Sequence, residues 1–213
     1  MIWTLPNIIT VTRIVLTPIV AVLPFLEGWI PKLGAFIVFL MAAISDMYDG
    51  RLARERNQVT DFGKLMDPLA DKLLLFAMLI PIYILSKNPT GMFEFPWWGA
   101  LPMYAVVILV GREVFMTVFR QVAKSKGVVI AADWSGKIKT AFQSIFLGAA
   151  IAWFAWRDMQ AEYGWEGLSP ATVWNYFHGF VIAVSLAVAL VLTVTSLLGY
   201  LYRYRSLFVK SAN

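Results

Sequence analysis

Four aspartates carry the most specific chemistry in this sequence. Asp46 and Asp49 stand three residues apart, Asp67 and Asp71 four apart, and both pairs lie beside long apolar runs. On helices turning by about 100° per residue, Asp46, Asp49, Gly50 and Ala53 share one face with Arg54 at its edge, and Gly63, Asp67 and Asp71 follow at successive turns. Two such faces on adjacent helices would bring four carboxylates together, with Gly50, Ala53 and Gly63 clearing space between them. Like charges at that density repel, and some of the acids would be protonated unless cations neutralise them. Hard oxygen donors with no His or Cys nearby suit magnesium or manganese rather than zinc. The alternative is that the acids pair with Arg51, Arg54, Arg56 and Lys72 in a solvated network between helices.

The elements that must position these acids are membrane helices. The 213 residues are 60% hydrophobic and 15% charged, with a mean hydropathy of +0.70, above what a domain with a polar surface carries. Each crossing of about 30 Å of hydrocarbon takes roughly 20 apolar residues. Six segments fit, 8–26, 33–53, 65–86, 96–122, 137–157 and 172–202, which makes 1–213 a single all-α transmembrane catalytic domain. The first segment contains Arg13 and Pro18 and is followed by no small-residue cleavage site, so it reads as a retained helix rather than a signal peptide. With the N-terminus in the cytoplasm, all but Lys32, Lys87 and Arg157 of the 18 Lys and Arg residues fall on the cytoplasmic side. Both termini are therefore expected there, as an even number of crossings requires. Asp46 comes about 20 Å into the second helix, and Asp67 about 30 Å before the outer end of the third, so both acid pairs reach one cytoplasmic depth. Ionisable groups at membrane depth are costly and mark sites.

Cysteine is absent, which removes disulfides, thiolate nucleophiles and zinc-thiolate sites. His178 is the single histidine and reads as an interfacial ring near the outer end of the last helix, without a catalytic role. A lipid synthase that needs histidine nucleophiles is thereby excluded. Lys124, Lys126, Arg203, Arg205 and Lys210 read as anchors to anionic lipid rather than to nucleic acid, and Trp97, Trp98, Trp165 and Trp174 as an interface belt. Arg112 and Arg120 lie about 80° apart on a helix and can share a broad face that would form an anion pocket. Lys137 and Lys139 add cations, although two positions differ by about 200° and cannot both face one site within a regular helix. Arg112 has an alternative partner in Glu113 or an aspartate.

As a string, the acid region reads Asp46-x2-Asp49-Gly50-x2-Ala53-Arg54-x8-Gly63-x3-Asp67-x3-Asp71. It resembles the signature of the CDP-alcohol phosphatidyltransferase family at all eight fixed positions. The opening Leu5-Pro6-Asn7-Ile8-Ile9-Thr10-x2-Arg13, the stretch from Gly111-Arg112-Glu113 to Arg120, and Gly136-Lys137-x-Lys139-Thr140 resemble the bacterial phosphatidylglycerophosphate synthases of that family. The resemblance implies six transmembrane helices, a homodimer, and an active site open to the cytoplasm. It also implies a reaction in which CDP-diacylglycerol and glycerol 3-phosphate give phosphatidylglycerophosphate and CMP. By the same resemblance, Asp46, Asp49 and Asp67 hold two magnesium or manganese ions, and Asp71 joins one of them and serves as general base. Asn7, Thr10, Gly50, Ala53, Arg54, Thr60 and Gly63 would lie on the CDP-lipid side, and Arg112, Arg120, Lys137 and Lys139 on the acceptor phosphate. Another acceptor within the family, such as inositol phosphate, another alcohol or phosphatidylglycerol, is the nearest alternative. A non-catalytic divalent-cation membrane protein is a further one, although the outer halves of the six segments carry almost no charge to line a pathway.

Overall fold

The computed structural model describes residues 4–55, 60–128 and 134–205, with the backbone alone at 47–55, 64 and 135. Among these residues there are six α-helices: α1 (Leu5–Val22), α2 (Trp29–Glu55), α3 (Asp61–Leu85), α4 (Met103–Ser125), α5 (Trp134–Tyr163) and α6 (Ser169–Arg203). Local chemistry explains several of their ends. Pro6 sits in the first turn of α1, where a missing N–H costs nothing. Thr60 caps α3, its hydroxyl accepting from the Gly63 N–H at 3.0 Å. After α4 the chain turns at Gly127, whose φ of 75° avoids the Cβ penalty; Gly127 N–H bonds the Lys124 carbonyl and Val128 N–H that of Ala123.

Among the described residues five stretches are long and apolar enough to cross a membrane: Leu5–Phe25, which is α1 and the 3-10 turn Leu23–Phe25 that follows it, then Trp29–Asp46, Asp61–Leu85, Gly136–Tyr163 and Ser169–Arg203. The sixth expected span, α4, has the length, but Arg112, Glu113, Arg120 and Lys124 interrupt its apolar run. It also begins at Met103 rather than near residue 96. Pro96, Gly99 and Pro102 hold residues 95–102 in a tight turn, with a Phe95–Gly99 bridge and φ of 67° at Trp97. The other helices overrun their expected limits by a few residues at one or both ends.

Side-chain contacts fix the helix directions. Arg13 meets Asp46 and Leu23 lies near Gly34, so α1 and α2 are antiparallel; Thr10 meets Asp67 and Arg13 meets Asp71, so α1 and α3 run parallel. Lys32 pairs with Asp158 while Phe39 faces Gly148, so α2 and α5 are antiparallel. His178 Nε2 donates to the Ala149 carbonyl and Trp156 donates to Asn175, which sets α6 antiparallel to α5. The four aspartates and the Lys/Arg-rich helix ends thus share one end of the bundle, and Lys32, Asp158, Arg157 and Glu166 the other.

The core is centred on α5. Phe146, Ala150, Ile151 and Phe154 have no exposed surface and pack with Met78 and Ile82 of α3, Leu109 of α4 and Ile182 and Leu186 of α6. Phe93 and Phe95, from the segment between α3 and α4, place their rings 5.0 and 5.7 Å from Phe154 and close that end. Helices in lipid gain little from apolar burial against each other, so close packing at small residues matters more. Gly148 provides it: a Cβ there would come within 3.3 Å of the Phe39 ring and 3.5 Å of Phe36. Gly148→Leu should push α2 from α5 at a cost of about 1–3 kcal/mol, with a smaller loss for Gly148→Ala. The check is the thermal midpoint of the detergent-solubilised protein, and equal midpoints for wild type and Leu variant would contradict it.

Candidate active site

Three residues of α1 organise the acid cluster. Asn7, Thr10 and Arg13 follow at intervals of three, so they line one side of the helix, and all are at most 3% exposed. Each meets a partner on α3 or its cap. The Thr60 hydroxyl donates to Asn7 Oδ1 at 2.9 Å, and the Thr10 hydroxyl donates to Asp67 Oδ1 at 2.7 Å. Arg13 Nη1 donates both to Asp71 Oδ1 at 3.1 Å and to Asp46 Oδ1 at 2.5 Å. One guanidinium nitrogen thus joins an acid of α2 to an acid of α3.

This geometry corrects the expectation that α2 and α3 face each other directly. Among the described residues α1 packs against both, while α2 and α3 have no packing of similar extent. The acids meet across α1. Gly63 belongs to the same arrangement: a Cβ there would stand 3.0 Å from Asn7 Oδ1, 3.3 Å from Thr60 Oγ1 and 3.8 Å from Asp67 Oδ2. The small residue lets the start of α3 close on α1.

Asp46 and Asp71 keep 44% and 55% of their side-chain surface exposed, so this cluster opens outward although Arg13 is buried. Among the described residues one guanidinium pairs with Asp46 and Asp71 while Asp67 is held by the Thr10 hydroxyl, so three carboxylates outnumber one cation and the cluster is negative. These bonds hold each carboxylate by Oδ1, and among the described residues Oδ2 of each makes no hydrogen bond. An all-oxygen, part-open, anionic donor set fits a hard divalent cation. No three acids converge on one point among the described residues. The backbone of α2 continues as helix through Asp49, Gly50, Ala53 and Arg54, and the side chains of Asp49, Ala53 and Arg54 lie outside the described residues.

A second cluster forms between α4 and α5. Glu113 Oε1 accepts from Arg112 Nη1 at 3.0 Å and from Lys139 Nζ. Arg112 is 8% exposed and Lys139 2%. A Cβ on Gly136 would lie 3.9 Å from Arg112 Nη2, so the start of α5 runs close beside the guanidinium. Of the four cations expected on the acceptor side, the fold brings these two together. Arg120 and Lys137 are exposed and do not join them, and Lys137 and Lys139 point to different surroundings, as two positions on a helix must.

Two residues had a different place in the sequence. Arg13 read as a positive charge near the cytoplasm and a position of the family resemblance, yet it is the link between two acid helices. Its signal was the three-residue spacing from Asn7 and Thr10. His178 is not at a water interface. It is 8% exposed between α5 and α6, its ring 5.5 Å from that of Trp153 and 5.7 Å from that of Trp174, with Nε2 at 2.9 Å from the Ala149 carbonyl. The arrangement packs the helices together and leaves it structural.

Residues 3–195 match the CDP-alcohol phosphatidyltransferase family. A protein of Salmonella choleraesuis (strain SC-B67) named CDP-diacylglycerol–glycerol-3-phosphate 3-phosphatidyltransferase is 32% identical over 200 residues, covering 92% of each chain. A protein of the same name from Escherichia coli (strain K12) is 30% identical over 204 residues, covering 95% of each. A match across nearly the whole length, on a helical bundle whose acids gather at one end, leaves no doubt of kinship: the chain belongs to the CDP-alcohol phosphatidyltransferase family.

Proposed function

We propose that this protein transfers the phosphatidyl group of CDP-diacylglycerol to sn-glycerol 3-phosphate, giving phosphatidylglycerophosphate and CMP. The observation that carries the reading is the end-to-end likeness to relatives named for that reaction. The two polar clusters supply matching chemistry, an anionic oxygen-donor site at Asp46, Asp67 and Asp71 and a cationic one at Arg112 and Lys139.

Asp46, Asp49, Asp67 and Asp71 would hold two magnesium or manganese ions, which stabilise charge growing on the phosphoryl oxygens. The acceptor hydroxyl attacks the phosphorus that bears the lipid, a new P–O bond forms, the bond to CMP breaks, and CMP leaves with the electron pair. Asp71 takes the hydroxyl proton. An aspartate is a weak base for an alcohol, so its position against the acceptor matters more than its basicity. Thr10 and Arg13 hold Asp67, Asp71 and Asp46 at fixed orientations for this step, and Asn7, Thr60 and Gly63 brace the same helices. Gly50, Ala53 and Arg54 complete the donor side in this reading, Arg54 toward the donor phosphates. Arg112 and Lys139 receive the acceptor phosphate, with Arg120 and Lys137 as exposed cations on the same two helices.

The same reading makes α4 the sixth crossing. Its exposed residues Tyr104, Val107, Val114, Phe115, Val118 and Val122 form an apolar face suited to lipid, while Arg112 is turned inward. Six crossings put both termini in the cytoplasm of a bacterial inner-membrane enzyme, with the acid site opening there, and the working unit is a homodimer.

Three outcomes test this. CMP release from CDP-diacylglycerol should require glycerol 3-phosphate, and Asp67→Asn or Asp71→Asn should cut it below about one hundredth of wild type in saturating magnesium. A higher residual rate for folded variants would sink the metal assignment. A cysteine at position 211 in the Cys-free chain should resist external thiol reagents in intact cells, and rapid labelling would reverse the topology. Arg13→Ala should lower stability by about 1.5–3 kcal/mol through lost charge-assisted contacts, and magnesium should restore part of the thermal midpoint by offsetting the repulsion among the acids. An unchanged midpoint would show that the Arg13 link is not holding the helices.

A further inference from the structure

Within the acceptor cluster one side chain has no part in the reading given above. Glu113 contributes a single oxygen, Oε1, and both Arg112 Nη1 and Lys139 Nζ donate to it. The two cations come from different helices, α4 and α5, so this oxygen is the point at which their positions are fixed relative to each other. Both are nine-tenths buried or more, whereas the Glu113 side chain keeps 20% of its surface exposed. The cluster is therefore reached past Glu113.

Charge makes the arrangement unbalanced. Among the described residues two cations share one carboxylate, which leaves an excess positive charge inside a bundle of apolar helices, where an uncompensated charge is costly. Arg112 Nε is also buried without a hydrogen-bond partner among the described residues. A purely structural triad would gain by pairing that excess, and here it remains available to an incoming anion. Without Glu113 the two cations would repel each other, and Lys139, at 2% exposure, would lose its carboxylate partner.

We propose that Glu113 is a positioning residue of the acceptor site, holding Arg112 and Lys139 at one point so that together they receive the phosphate monoester of the acceptor. The inference rests on the reading of Arg112 and Lys139 as acceptor-binding groups and adds the device that aligns them. Glu113 does not touch the reacting atoms. It acts through the two cations, and its loss weakens acceptor binding while leaving the CDP-lipid side as it is.

The test uses the purified full chain in detergent with CMP release as the assay. KM is measured separately for glycerol 3-phosphate and CDP-diacylglycerol in wild type, Glu113→Gln, Glu113→Asp and Arg112→Ala, alongside each thermal midpoint. Glu113→Gln should raise KM for glycerol 3-phosphate by about tenfold or more, the scale of one charge-assisted contact, with KM for the donor within about twofold. Glu113→Asp, which keeps the charge, should recover most of the acceptor affinity and carries the test if the Gln variant does not fold. An unchanged acceptor KM in Glu113→Gln beside a raised one in Arg112→Ala would overturn the positioning role and leave the acceptor site standing. Unchanged values in both would remove the acceptor reading itself. A lowered acceptor KM would make Glu113 a competitor of the phosphate, and a parallel rise of both KM values would reduce it to packing; either overturns the proposal.

Discussion

Asp46 and Asp71 belong to helices that scarcely touch, and what joins them is the buried guanidinium of Arg13 on the helix between. A cation in that position answers two problems together. It relieves repulsion among acids that the fold brings close to one another, and the acids in turn make it possible to bury an arginine among membrane helices. Neither partner is favourable alone in these surroundings. The register of α1 against α2 and α3 follows from this constraint, because a shift by one residue would carry Arg13 about 100° away from both acids.

The bracing around that link follows the same register. Asn7 takes the hydroxyl hydrogen of Thr60, and the same Thr60 oxygen caps α3 through Gly63, so the start of the acid-bearing helix is tied to α1 before Asp67 and Asp71 are reached. Gly63 has no side chain at the point where Asn7, Thr60 and Asp67 approach most closely. A carboxylate is held well when the groups that hold it are themselves fixed, and here they are fixed by helix capping as well as by packing.

Much of this was legible in the sequence, for identifiable reasons. Hydropathy located all six helices to within a few residues at most ends, since membrane helices advertise themselves by long apolar runs. The acid motif was legible because charged residues at that depth have few other uses. Periodicity on one helix could group Asp67 with Asp71, but it could not say which third helix would stand between two acid faces. That depended on packing, and so the role of Arg13 was missed. The start of α4 was misplaced because Trp97 and Trp98 continue the apolar signal through a segment where Pro96, Gly99 and Pro102 dictate a turn. Lys139 against Glu113 was invisible for the same reason as Arg13: the partners are 26 positions apart and on separate helices.

The two clusters are related by opposite charge and similar construction. In the first, one buried cation holds acids from two helices and leaves a net negative site. In the second, one part-buried acid holds cations from two helices and leaves a net positive one. Each places a single shared group at a helix interface and, among the described residues, leaves an excess of the other sign: the acids Asp46 and Asp71 part-exposed in the first, the cations Arg112 and Lys139 buried behind Glu113 in the second. In a low-dielectric bundle such an excess is tolerable only where a charged ligand or solvent can answer it. At the other end of the bundle Lys32 and Asp158 match one to one, so no such excess arises from that pair. Helix α4 differs from the other five helices because Arg112 and Glu113, turned inward, and Arg120 and Lys124, exposed, interrupt its apolar run, while Val107, Val114 and Val118 keep an apolar outer face.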